Sequence, residues 1–352
     1  MDEALTDLLA GHELTARATL PATAFDYFAA GAGDEVALEE SRIAWRRYRL
    51  RPHAFPGAAS PDLSAEILGT RLSMPVLAAP TAWQQLAHPN GEVETARGVS
   101  AAGGLMVVAT RATMLLEDIV AALDGPWWFQ VYVVNDRSIT ADLVRRAVGL
   151  GARALMLTAD TPYIGFKRRG HFAPVSMEQH LVNFGSHLGP GPDAGDIPRR
   201  INQDATISTE TIGWLAGVSG LPVLVKGVLR GDDAAACMDA GAAGIVVSNH
   251  GGRQLDRAIA TAVALPEVVT AVAGRGPVLV DGGIRSGSDV LVALALGASA
   301  TMVGRPLLWG LAAAGSAGVQ RVLDGFREEL GHAMGLAGVT ASAGVGRDLV
   351  VA

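Results

Sequence analysis

The segment Ser248–Asp256, SNHGGRQLD, sets one histidine and one arginine about a pair of glycines, directly after the apolar run Ala243–Val247. Histidine changes charge near neutral pH and can take up a proton. Arginine presents a planar fork of donors that matches a carboxylate. Glycines between them let the chain turn tightly enough for both side chains to reach one ligand. Taken singly, a His-Gly-Gly turn at the end of an apolar run is an ordinary loop. The polar residues at comparable positions elsewhere in the chain decide whether it is more.

Eight short, nearly unbroken apolar runs recur, each followed by a polar or glycine-bearing loop and then a helix-like stretch. They are MPVLAAPTA (74–82), GGLMVVAT (103–110), PWWFQVYV (126–133), ARALMLTAD (152–160), LPVLVKG (221–227), AGIVVSN (243–249), PVLVDGG (277–283) and SATMVGRP (299–306). Runs of this length and continuity read as strands buried on both faces. The stretches between them often close on Gly-Ala, a helix stop. Eight units in series predict a single (β/α)8 TIM-barrel domain; a doubly wound open sheet is the alternative, and the similar loops favour closure. Residues 1–73 form an N-terminal extension expected to be helical, and residues 161–205, an insertion after the fourth strand, are expected to act as an active-site lid.

In such a barrel the chemistry sits where strands end. Those ends carry Pro80, Thr81 and Ala82; Gln130 and Tyr132; Thr158 and Asp160; Lys226; Ser248, Asn249 and His250; Asp281, Gly282 and Gly283; and Gly304 with Arg305. The loops DGGIRSG and GRP place backbone N–H groups, Arg285 and Arg305 where barrels bind phosphate, belonging either to a substrate or to a cofactor. Lys226, Gln130, Thr158 and Ser248 suit the edge of a flat heterocycle better than a sugar phosphate.

The 352-residue chain is 49% apolar with a formal net charge of −7, which suits a compact domain and argues against nucleic acid or an anionic membrane as its main partner. Its one cysteine, Cys237, excludes an internal disulfide or a multi-cysteine metal site and fits a reducing cytoplasm; its Ala-rich surroundings suggest packing. The N-terminus MDEALTDLLAGHEL lacks the basic start of a signal peptide, and VLVALALGASATMVG (290–304) is too short to span a bilayer. A cytoplasmic protein with no metal is expected.

Together, SNHGGRQLD, VKGV, LVDGGIRSGSDV, MVGRP, PTAWQQLAHPNGE, FDYFAAGA and TADTP resemble the FMN-dependent α-hydroxy-acid oxidase and dehydrogenase family, from about Ala22 onward. That family includes glycolate oxidase, lactate oxidase, mandelate dehydrogenase and hydroxymandelate oxidase. The resemblance implies an FMN enzyme that oxidises an (S)-2-hydroxy acid to the 2-oxo acid, with dioxygen as acceptor and hydrogen peroxide as product. A quinone or a carrier protein is the alternative acceptor, and a larger tailored hydroxy acid the alternative substrate. His250 would be the base, Asp160 its orienting partner, and Arg253 the carboxylate holder. Tyr27 and Tyr132 would bond the substrate's carboxylate and hydroxyl, although Tyr27 also reads as a core tyrosine. Lys226 would lie by flavin N1 and O2, where its charge favours the anionic reduced ring. Pro80, Thr81, Ala82, Gln130, Thr158 and Ser248 would line the isoalloxazine. Asp281, Gly282, Gly283, Arg285, Gly304 and Arg305 would bind the ribityl-phosphate tail. Relatives are often homotetramers, so a homo-oligomer is expected.

Three places depart from the family pattern. Relatives carry an arginine where DTPYIGFKRRG has Lys167, so Lys167 or its neighbour Arg168 would have to serve as the second anion holder. ATRAT puts Ala109 in place of a flavin-contacting serine and Arg111 in place of a bulky wall, and Trp83 stands where Met, Ala or Tyr is usual. Trp83 and Arg111 therefore join the expected substrate contacts, with solvent or a structural ion pair as the other destination of Arg111. These changes point away from a glycolate or lactate specialist and toward an aromatic, mandelate-like acid.

Overall fold

The computed structural model describes residues 4–55, 60–170, 175–184 and 197–352. The eight apolar runs become eight parallel strands of a closed barrel: β1 (Val76–Ala78), β2 (Met106–Ala109), β3 (Trp127–Val131), β4 (Leu155–Thr158), β5 (Val223–Val228), β6 (Gly244–Val247), β7 (Val278–Val280) and β8 (Ala300–Val303). Each pairs with its successor, and β8 closes on β1 through Thr301–Val76, Met302–Leu77 and Val303–Ala78. The alternation of a strand explains why the runs are apolar throughout. Leu77, Val107, Trp128, Met156, Leu224, Val246 and Leu279 fill the barrel, while Val76, Val108, Trp127, Leu155 and Ile245 face the surrounding shell. The adjacent tryptophans thus serve two different cores.

The N-terminal extension is helical only at first. After α1 (Leu5–Thr19), α2 (Ala22–Ala29) and α3 (Val36–Trp45) comes a hairpin, Ala65–Ile67 with Thr70–Leu72. Its turn residues Leu68 and Gly69 both have positive φ, 49° and 71°, as a two-residue hairpin turn of this hand requires. Ile67 and Leu72 enter the inner cluster and plug the barrel beneath the strands. The hairpin is too short for its alternation to stand out in the sequence.

α3 is pinned against the catalytic end of the barrel. Asp256 caps its start, accepting from Asp34 N at 2.7 Å and Ala37 N at 3.1 Å. Asn249 Nδ2 donates to Ser41 Oγ at 2.9 Å, and Trp45 Nε1 donates to the Gly282 carbonyl at 2.8 Å. Gly283 packs so closely that an added Cβ would lie 1.9 Å from the Ser41 carbonyl oxygen. In the insertion after β4, the short helix Met177–Leu181 opens on a Ser176–Gln179 capping box. Asn183 docks this stretch on the loop after β2, accepting from Leu116 N at 2.9 Å and donating to the Met114 carbonyl at 2.8 Å. The rest of the expected lid, 171–174 and 185–196, lies outside the described residues.

Of the described residues, no helix is long and apolar enough to cross a membrane, and no group of three or more His, Cys, Asp or Glu is placed to hold a metal ion. Cys237 is buried in its helix, and burial pushes its thiol up to about 11, as a packing role requires. Gly283 sits at φ +84°, so Gly283→Ala should cost at least about 1–2 kcal/mol from backbone strain alone, with the clash against α3 added. Urea unfolding measures this, and wild-type stability in the variant would contradict the packing.

Candidate active site

β6 delivers the loop that carries the central histidine. His250, Gly251 and Gly252 adopt successive left-handed conformations, with φ of 57°, 63° and 72°. For the two glycines this is inexpensive, while for His250 it is strain that the surroundings must hold in place. The Asn249 side chain accepts from Gly252 N at 3.2 Å, closing the turn from within. The turn aims His250 Nδ1 at Asp160 at the end of β4, 3.1 Å from Oδ1 and 3.3 Å from Oδ2. With Nδ1–H on the carboxylate, Nε2 is left with its lone pair. Burial alone would raise the Asp160 pKa, yet the His250 ring and, behind it, Lys226 hold this carboxyl below its ordinary value.

Arg253, in the same loop, crosses to α2. Its Nη1 meets the carbonyls of Tyr27, Phe28 and Ala30 at 2.7, 3.2 and 3.0 Å, and its guanidinium lies 5.0 Å over the Tyr27 ring. Nη2 and Nε take no part in these bonds and remain able to grip a carboxylate. The Arg305 guanidinium is more fully committed. Its Nε, Nη1 and Nη2 donate to the carbonyls of Phe28, Gly251 and Ala30 at 2.9, 2.8 and 3.1 Å. The side chain expected at a phosphate therefore braces α2 against the His250 turn. The backbone N–H of Arg305, first residue of the long helix α4 (Arg305–Ala337), stays at the phosphate end.

Lys226 reaches its place through a β-bulge between Lys226 and Val228 in β5, where Gly227 has φ 108°. A side chain on Gly227 would lie 2.5 Å from Asp160 Cβ, so the bulge also makes room for that carboxylate. Nζ donates to Ser248 Oγ at 2.8 Å and pairs with Asp281 Oδ2 at 3.1 Å. Burial would discharge the amine, but Asp281 and Asp160 outweigh it and raise its pKa, so the charge persists inside the barrel mouth.

These groups surround a cavity of about 970 Å³, open to solvent, lined by Tyr27, the Ala79–Ala82 strand end, Gln130, Tyr132, Lys226, His250, Arg253, Asp281–Arg285 and Met302–Arg305. Asp160, Thr158 and Ser248 stand behind that lining. Thr158 accepts from Gln130 Nε2 at 2.9 Å, and Ser248 is fully buried against Lys226, so both support cavity side chains from the rear. Ala79, Met302 and Leu308 line the cavity and were missed, because a small or apolar residue beside a motif carries no chemical signal.

The donor set fits FMN. Asp281 Oδ1 is buried without a hydrogen-bond partner, an acceptor placed for a ribityl hydroxyl. Gly282, Gly283, Gly304, Arg285 and the start of α4 line the end of the cavity that would take the phosphate, and Ala79–Ala82 with Gln130 line the part that would take the flat ring.

Of the residues outside the family pattern, Trp83, Arg111, Lys167 and Arg168 lie around this cavity and are not among the side chains that line it. Arg168 pairs with Asp34 at the surface, and Arg169 bridges Glu35 and Asp26. Lys167 instead donates only to the Gly165 carbonyl, at 3.4 Å, among the described residues, and its charge lies near Arg253. Burial, then Arg253 and Arg305, bring its pKa down to about 8. Arg111 turns from the cavity to His180 Nε2, at 2.8 Å, and the Ile201 carbonyl, at 2.9 Å. Burial and this guanidinium bring His180 down to about 4, so it is neutral near pH 7. Trp83, at φ 60°, packs against Tyr27 at 5.2 Å and His180 at 5.6 Å between ring centroids. Tyr27 and Tyr132 both have raised pKa values, chiefly from burial, and stay protonated donors.

Because Lys167 loses its proton near pH 8, the affinity of the free site for a small carboxylate should fall as pH rises through that value. Lys167→Arg should flatten the fall, since an arginine stays charged. Titrating a non-oxidisable 2-hydroxy-acid analogue from about pH 7 to about pH 9.5 tests this. A wild-type profile in Lys167→Ala would remove Lys167 from anion binding.

Comparison with known proteins places this geometry. The model of the family described as FMN-dependent dehydrogenase matches residues 16–352. Glycolate oxidase 1 of Oryza sativa subsp. indica is 43% identical over 343 residues, covering 96% of this chain and 93% of the relative. L-lactate oxidase of Nostoc sp. is 43% identical over 341 residues, covering 93% of each chain. Among solved structures, mandelate oxidase with (S)-2-phenylpropionate superposes with a TM-score of 0.88 at 40% identity, covering 97% of both chains. Mandelate oxidase with (S)-4-hydroxymandelic acid gives 0.87 at 40% identity, covering 97% of this chain and 98% of that one. The chain belongs to the FMN-dependent dehydrogenase family, among whose members the hydroxy-acid oxidases for glycolate, lactate and mandelate are its relatives.

Proposed function

We propose that this enzyme oxidises an aromatic (S)-2-hydroxy acid of the mandelate type to the 2-oxo acid and passes the electrons to dioxygen, releasing hydrogen peroxide. One observation carries the reading: His250, oriented by Asp160, shares a single cavity with the open face of Arg253. Bound FMN supplies a two-electron acceptor. Arg253 grips the substrate carboxylate through Nη2 and Nε, and Lys167 adds a second positive charge. The phenols of Tyr27 and Tyr132 donate to the substrate's oxygens. His250 Nε2 takes up one of the two hydrogens that the substrate loses, as a proton, and Asp160 stabilises the imidazolium that results. Lys226 keeps a buried positive charge at the inner end of the cavity, where negative charge grows as the electrons arrive.

The aromatic preference is supported by Tyr27 of the cavity lining, which Trp83 backs ring against ring with His180 beyond it. One observation favours a different acceptor, a quinone or carrier protein. Tyr163, Ile164, Phe166 and Leu255, in the loops that carry Lys167 and Arg253, are 79, 84, 77 and 71% exposed.

Anaerobic mixing with a panel of 2-hydroxy acids should bleach the flavin with mandelate-type acids, and aerobic turnover should give one peroxide per acid oxidised. No bleaching by any acid would sink the proposal, and oxidation without peroxide would transfer it to the alternative acceptor. His250→Asn should retain flavin yet slow reduction at least about a hundredfold. Trp83→Ala should lower kcat/KM for mandelate relative to glycolate by about tenfold or more; an unchanged ratio would exclude Trp83 from selectivity.

A further inference from the structure

The phosphate end of the cofactor cavity poses a problem of charge. A phosphate monoester carries about −1.5 to −2 at neutral pH. The Arg305 guanidinium is spent on three carbonyls. Arg285 bonds only its neighbour's carbonyl, Ile284 O, at 2.7 Å, and so offers one available guanidinium.

A second cavity adjoins this one. It shares Gly283 and Arg285 with the flavin cavity, has a volume of about 1420 Å³, and Arg42 of α3 borders it. The backbone of α3 is fixed here by Trp45 on Gly282, by Asn249 on Ser41, and by the contact of Gly283 with Ser41 and Arg42. An added Cβ on Gly283 would lie 3.1 Å from Arg42 N, so the Arg42 side chain starts beside the glycine turn expected at the phosphate. The side chain is exposed, and no hydrogen bond or ion pair to another described residue engages it. Glu13 and Asp289 border the same cavity, but Asp289 is taken up by the N–H groups of Arg285 and Ser286. In a chain of net charge −7, a guanidinium with no partner among the described residues, held beside the half-buried Arg285, calls for an explanation.

We propose that Arg42 is a phosphate-binding residue of the flavin site, a second guanidinium that reaches over the Gly282–Gly283 turn from the outer cavity to the cofactor's phosphate. It takes the part for which Arg305 is not free. The groups also sense one another: burial, then the charge of Arg42, bring Arg285 down to about 10, a repulsion that an anion between them would relieve. Arg42 lies far upstream of the DGGIRSG and GRP loops, and only the fold brings it beside them. The assignment deepens the FMN reading and rests on it.

The test compares FMN with riboflavin, which lacks only the phosphate. Apoprotein is titrated with each flavin by fluorescence quenching, for wild type, Arg42→Ala, Arg42→Lys and Arg285→Ala. Arg42→Ala should weaken FMN about tenfold and leave riboflavin within about twofold, the loss of one charge-assisted contact. Arg42→Lys should recover part of the loss, and inorganic phosphate should compete less well with FMN in Arg42→Ala than in wild type. Equal weakening of both flavins would show a structural role and overturn the proposal, as would unchanged FMN binding. Arg285→Ala separates the two levels. If it discriminates FMN from riboflavin and Arg42→Ala does not, only the Arg42 assignment falls. If neither discriminates, the phosphate end itself is misplaced.

Discussion

The carbonyl end of one short helix holds the site together. A helix leaves its last carbonyls without partners inside the helix and carries partial negative charge there. In α2 those carbonyls, Tyr27, Phe28 and Ala30, are covered by two arginines from distant loops, Arg253 after β6 and Arg305 after β8. The same bonds that cap the helix fix the Tyr27 phenol over the cavity, leave the outer face of Arg253 free, and brace the His250 turn through Gly251. An arginine serving only as a ligand would be free to move in the absence of its anion, whereas here the backbone orients it beforehand, as tight positioning of a substrate demands.

Behind this clamp the His250 ring leads to a row of charges of alternating sign, Asp160, Lys226 and Asp281. Each is costly alone in a place of low dielectric. Alternation of sign makes the row tolerable, with Lys226 coupled to an acid on either side. The pairs His250–Asp160 and Lys226–Asp281 each reach across one intervening strand, a distance that the ends of strands curving round a closed barrel bring within contact. Asp160 follows β4, Lys226 lies in β5, His250 follows β6 and Asp281 follows β7, so the four groups come from four successive strands of the rim.

Much of this was legible in the sequence. Seven of the eight strands lie within the apolar runs that announced them and β5 runs one residue past its own, to Val228, because strands covered on both faces leave an unbroken signal, and the residues at their ends could be read off directly. His250, Asp160, Arg253, Lys226 and Asp281 are brought together as expected. What escaped was of another kind. The direction of a long side chain depends on partners far away in sequence, so nothing in GRP shows that Arg305 turns to Phe28 and Ala30, nor anything in ATRAT that Arg111 turns to His180 and Ile201. Thr158 and Ser248 are set back by one layer, a depth that a strand-end position does not encode. The choice between Lys167 and Arg168 depended on Asp34, which claims Arg168.

The N-terminal helices therefore belong to the active site as much as the barrel does, and this bears on how the protein is made. Tyr27, Ser41 and Trp45 meet their partners at Arg253, Asn249 and Gly282, while α1 lies along α4, and Arg49–Leu50 pairs with Val350–Val351. On the ribosome the first helices must wait, with their apolar faces uncovered, until the chain has been made past Val303, the end of β8. The pocket is then completed in one late step, in which the chain's opening segment docks on a barrel that its closing strand has just sealed. A nascent chain halted short of β8 would hold most of the catalytic residues and no site.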